Sequence, residues 1–63
     1  MKYSEIHRKL KKAGCYIYSD KTAEPTWYSP ITGKTFRTSH HESQEAKGGT
    51  FYAIQRDSGV RLK

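Results

Sequence analysis

Imidazole is the side-chain group that ordinarily changes charge near neutrality and can take or give a proton during bond cleavage, and this 63-residue chain has three histidines, His7, His40 and His41. Cations crowd the first of them. Arg8, Lys9, Lys11 and Lys12 follow His7 closely, and residues 1–12 hold five Lys/Arg against one Glu. Such a cluster suits the phosphates of a nucleic acid; the competing reading is a solvated face that keeps a small protein soluble. Helical spacing brings Arg8, Lys11 and Lys12 onto neighbouring faces, which makes a patch without naming its target. Lys34 and Arg37 are further cations for phosphate contact. His7, between Glu5 and Arg8, reads as a surface or phosphate-contacting residue rather than a catalyst. His40 and His41, in a polar loop, make the better pair, solvated loop residues being the alternative.

Other chemistries find little support. One cysteine, Cys15, excludes an internal disulfide framework and a multi-cysteine zinc site. It has no basic activator in sequence, so it is expected to fill the core where the first strand begins. Three histidines and scattered carboxylates argue against a transition-metal site, and no cofactor is implied. The lone cysteine fits a reducing cytoplasm. No apolar run approaches a membrane span, and the basic start lacks the apolar core of a signal peptide.

These groups need elements to hold them. Ile6, Leu10 and Ala13 recur at helical spacing with Tyr3 one turn upstream, which predicts a first helix with one buried face. Ser4 is placed as its N-cap, Glu5 sits where the helix dipole favours an anion, and Gly14 is placed to end it in a left-handed turn. So short a helix is marginal alone and must pack on something. Residues 15–19 (CYIYS) read as a strand, with Tyr16 and Tyr18 on one face and Cys15 and Ile17 on the other. A polar connection from Asp20 to Glu24 ends at Pro25, and residues 26–29 form a second strand. Pro30-Ile31-Thr32-Gly33 makes a compact turn, and residues 34–38 return as a third strand. Residues 39–49 are polar, with a glycine pair that weakens a helix through them. A second helix is expected from Thr50, as N-cap, to Ser58, stopped by Gly59. Phe51, Ile54 and Ser58 lie on one face, and Val60 or Leu62 closes over the end.

The expected architecture is a single α+β domain, residues 1–63, in the order α-β-β-β-α with both helices on one face of a three-stranded antiparallel sheet. That is the order of double-stranded-RNA-binding domains, and order alone assigns no function. The formal charge of +6 favours anionic partners. Trp27, Tyr28, Tyr16 and Tyr18 can stack on bases, although a chain this small needs about half of them for its core.

Four segments together carry a family resemblance: MKYSEIHRKLKKAG at the start, TWYSPITGKTF in the hairpin, the His41-Glu42-Ser43 loop, and KGGTFYAIQRDSG near the end. In order and spacing, over nearly the whole chain, they resemble HicA, the small toxin of bacterial HicA–HicB toxin–antitoxin pairs. The resemblance implies a double-stranded-RNA-binding-like fold, a metal-independent messenger-RNA endoribonuclease activity and inhibition by a HicB antitoxin. His41 matches the family's loop histidine, for which the resemblance implies a role in orienting the loop or touching RNA. The family's catalytic histidine lies early in the second strand, in a Gly-Ser-His type motif shortly before an aromatic. That position is Glu24 here, and Thr22-Ala23 stand for the Gly-Ser portion.

The replacement bears directly on chemistry. Scission through the ribose 2′-hydroxyl needs a base for that proton, an acid for the departing 5′-oxygen and cations near the phosphate. An unperturbed glutamate is ionised at neutral pH, supplies no proton readily and repels the phosphate. Cleavage is therefore expected to be impaired with the fold intact. Glu24 is either natural divergence or a substitution that silences a harmful enzyme. Three functions stay open: a HicA-type ribonuclease scaffold disabled at Glu24, a non-catalytic RNA-binding module, and a protein-interaction domain for an acidic partner. Trp27 and Tyr28 are the expected antitoxin contacts, one of them facing out.

Overall fold

A computed structural model describes residues 1–21 and 24–62. The elements are α1 (Tyr3–Lys12), β1 (Tyr16–Ser19), β2 (Thr26–Tyr28), β3 (Thr35–Arg37) and α2 (Gly48–Ser58). The strands form an antiparallel sheet in the order β1-β2-β3. The α-β-β-β-α order and α+β class expected from the sequence are therefore present. Thr22 and Ala23, the counterpart of the Gly-Ser motif, lie outside the described residues.

The core forms where the apolar stripe of α1 meets one sheet face. Trp27 and Phe36 sit opposite each other in the β2–β3 register, so their side chains share that face. They are buried with Tyr3, Ile6 and Leu10 of α1, Cys15, Ile54 of α2, and Val60 and Leu62 beyond α2. Both helices thus feed one core over one sheet face, as expected. Cys15 fills it at the entry to β1, and both Val60 and Leu62 close over the end. Ala13, placed by spacing on the buried stripe, is instead exposed at the C-cap of α1.

Helix starts depart from the sequence reading, for a tertiary reason. α1 has Lys2 as N-cap with no side-chain cap, and Ser4 lies inside the helix. Its first N–H groups are satisfied by a distant loop: Tyr3 donates to the carbonyl of Gln44 and Ser4 to that of Glu42, each at 3.0 Å. Backbone acceptors so placed remove the need for a capping hydroxyl. The terminal ammonium of Met1 lies 2.7 Å from Glu45 Oε2 and holds that carboxyl below its ordinary pKa. α2 starts at Gly48, with Lys47 as N-cap, so the glycine pair enters its first turn and Thr50 is not the cap. Packing of Ile54 and Phe51 on the core offsets the glycines' cost of about 1 kcal/mol each.

The strands are each shorter than the sequence reading, and β1 breaks its alternation. Ile17 pairs with Trp27 but Ser19 pairs with Thr26, which leaves Tyr18 as an extra residue in a bulge. Ile17, opposite Trp27, shares the core-facing side, yet on the edge strand β1 it stays exposed, as do Tyr16 and Tyr18. Tyr16 meets Tyr28 on the open face, ring centroids 5.5 Å apart.

The β2–β3 turn is clamped to the end of α2. Ser29 Oγ donates to the Ser58 carbonyl and Thr32 Oγ1 to that of Asp57, both at 2.5 Å. Gly59 ends α2 at φ +72°, where a Cβ would lie 2.9 Å from methyl carbons of both Ile31 and Thr32. Gly59→Ala is expected to cost about 1–2 kcal/mol for the left-handed backbone alone, and more for the clash. A lowered urea midpoint with unchanged m-value checks this.

Candidate nucleic-acid interface

His7 is a polar side chain of the interior with partners on both ring nitrogens. It is buried, and its ring lies 5.2 Å from that of Trp27 and 6.1 Å from that of Tyr3. Nε2 lies 2.8 Å from Thr38 Oγ1, and Nδ1 lies 3.2 Å from Glu42 Oε1. The Trp27 indole N–H also donates to Thr38 Oγ1, at 2.9 Å. In the neutral ring one proton assignment satisfies every partner. Thr38 accepts from Trp27 and donates to Nε2, while Nδ1–H donates to the carboxylate of Glu42, which only accepts.

This corrects the surface reading of His7. Both nitrogens are committed, so the ring is a post that ties α1 to β2 and to the 38–42 loop, not a phosphate contact. The signal was present in part: Tyr3, Ile6, His7 and Leu10 occupy i, i+3, i+4 and i+7, and all four are buried. Thr38 and Glu42 went unnoticed because they lie 31 and 35 residues away, and only the fold brings them to His7.

Behind this post, α1 presents its cations. Arg8, Lys9, Lys11 and Lys12 are all exposed, on the side of the helix away from the core. Lys11 also lines a groove of about 200 Å³ together with Asp20 and His40, over a base that includes His7 and Trp27. Lys34 is exposed after the β2–β3 turn, and that turn approaches the end of α1, where a Cβ on Gly14 would meet Pro30 Cγ at 3.7 Å. His41 is exposed, its backbone N–H donating to Ser39 Oγ at 3.1 Å.

Glu24 and Arg37 occupy a second groove, of about 330 Å³, shared with Gly49 and Thr50 in the first turn of α2. Both are exposed, Glu24 just before β2 and Arg37 on the edge strand β3. The structure thus brings Lys11 to His40 and Arg37 to Glu24, and places the two pairs in separate grooves. Trp27 does not face out. It is 1% exposed, so of the two expected antitoxin contacts only the half-buried Tyr28 offers surface. Bulky exposed side chains are found instead on β1, at Tyr16, Ile17 and Tyr18.

Among the described residues no three His, Cys, Asp or Glu side chains are grouped to hold a metal ion, and no helix is long and apolar enough to cross a membrane. Fold and site together define a small α+β domain with a basic helix face and two grooves of mixed charged and apolar lining. Comparisons with protein-family models, curated proteins and solved structures found no match.

Proposed function

We propose that this chain is a HicA-type toxin scaffold: an RNA-binding domain of messenger-RNA endoribonuclease design, impaired at Glu24 and neutralised by a HicB-type antitoxin. The observation that carries the reading is the arrangement of α1. One face is locked into the core through Ile6, His7 and Leu10, while Arg8, Lys9, Lys11 and Lys12 are held to solvent. The α-β-β-β-α order supports a double-stranded-RNA-binding-like fold. Glu24, exposed beside Arg37 at the entry to β2, supports the site assignment: a proton-transfer group there would sit next to a cation for the scissile phosphate.

RNA affinity measured against salt concentration tests the binding part. Each phosphate contact contributes about 0.7–0.9 to the slope of log K against log salt. Changing Lys9, Lys11 and Lys12 together to Gln is expected to flatten that slope by about 2 and to weaken binding at low salt, with the fold unchanged. An unchanged slope would remove α1 from the interface.

The exposed Tyr16, Ile17 and Tyr18 of edge strand β1 favour a second reading, a protein-interaction domain whose charge meets an acidic partner. In that case the lysine variant weakens the protein complex, and nothing specific remains on RNA.

A further inference from the structure

The groove beside His7 has a chemistry that phosphate binding does not use. Its buried lining is Pro25, the His7 ring and Trp27, whose indole is stacked between His7 and Phe36. Its exposed lining mixes Ile17 with Lys11 and Asp20, while His40 and Glu42 enter from the loop. Two carboxylates make it a poor seat for a bare phosphate. Its room, about 200 Å³, is below the roughly 300–1,000 Å³ of pockets for drug-sized molecules and suits one planar ring system.

We infer that this groove takes a guanine base from an unpaired stretch of RNA, an assignment that rests on the RNA-binding reading above. Glu42 has one oxygen engaged by His7, whereas Asp20 enters no ion pair among the described residues. A carboxylate accepts two parallel N–H bonds, and guanine alone among the four RNA bases sets N1–H beside an exocyclic N2 amine. Guanine also carries O6 and N7 as acceptors for an ammonium such as that of Lys11. Uracil offers one N–H between two carbonyls, which Asp20 would repel. The adjoining cations of α1 then hold the phosphates on either side of the seated base. Sequence recognition of RNA by proteins generally acts on such splayed, unpaired bases.

Trp27 is the chain's one tryptophan, so its indole N–H signal in a ¹H–¹⁵N spectrum reports directly on this groove. The test titrates the full chain with 5′-GMP, with 5′-UMP and with inorganic phosphate. GMP is expected to shift the Trp27 indole and the Lys11 and Asp20 amides, and to bind about tenfold tighter than UMP. Asp20→Asn, at an exposed position, is expected to erase that preference with the remaining spectrum unchanged. Equal affinity for GMP and UMP, or a preference that survives Asp20→Asn, overturns the guanine slot. A parallel titration with oligouridylate separates this from the parent reading. Oligouridylate binding without GMP preference overturns the slot alone, whereas GMP preference without oligouridylate binding overturns the RNA-binding reading and, with it, RNA as the source of the base.

Discussion

Glu24→His is expected to cleave a long messenger RNA at low salt with EDTA present, under conditions where the unsubstituted chain leaves the RNA intact. The expectation follows from what the position offers. Glu24 is exposed, so an imidazole there disturbs no core packing, and the groove already holds Arg37 and the first turn of α2. An imidazole titrates near neutrality and can accept the 2′-hydroxyl proton or protonate the departing 5′-oxygen; an ionised glutamate can do only the first, and repels the phosphate while doing it. A positioned acid or base contributes about 10²–10⁴-fold in rate, so the contrast between the two proteins is large. EDTA removes cleavage that depends on contaminating metal. Cleavage by neither protein would favour a binding module without chemistry. Cleavage by both would shift attention to His40, to His41 or to Glu24 itself.

Trp27→Ala is expected to leave the chain largely unfolded at room temperature. Truncating a buried tryptophan costs about 3–5 kcal/mol, and a domain of this length holds roughly 3–9 kcal/mol in total. The loss is not confined to apolar area. Trp27 stacks on His7 and Phe36 and donates to Thr38, so its removal opens the contact between α1 and the sheet and takes a partner from Thr38. Circular dichroism during urea titration checks this, since the fluorescent reporter is lost with the side chain. A variant that melts like the unsubstituted chain would mean that α1 is held without this network.

Elements with a clear local signal were legible in the sequence. α1 showed its apolar spacing, Pro30 to Gly33 its turn residues, and Gly59 its stop; the structure has each, with Gly33 and Gly59 both at positive φ. The helix starts were not legible. Ser4 and Thr50 have the right chemistry for caps, yet loop carbonyls at Glu42 and Gln44 serve α1, and the N-cap of α2 lies three residues before Thr50, at Lys47. Capping propensity is a local preference of small size, and a backbone acceptor supplied from far along the chain overrides it. The bulge at Tyr18 was equally hidden, because register depends on the partner strand rather than on alternation within one strand.

By itself, then, the sequence determined the order of elements, the apolar face of α1, the basic side of that helix and the presence of Glu24 ahead of the second strand. Those properties depend on neighbours within a turn or two, where spacing and residue type carry the physics. Tertiary structure alone decided that His7 is a buried post, that Trp27 is core while Tyr16, Ile17 and Tyr18 are surface, and that Lys11 and His40 share one groove while Glu24 and Arg37 share another. A histidine beside four cations looks solvated until a threonine and a glutamate from the segment after β3 supply its hydrogen bonds. Burial of a polar ring is set by whether such partners arrive, and their arrival is a property of the closed fold.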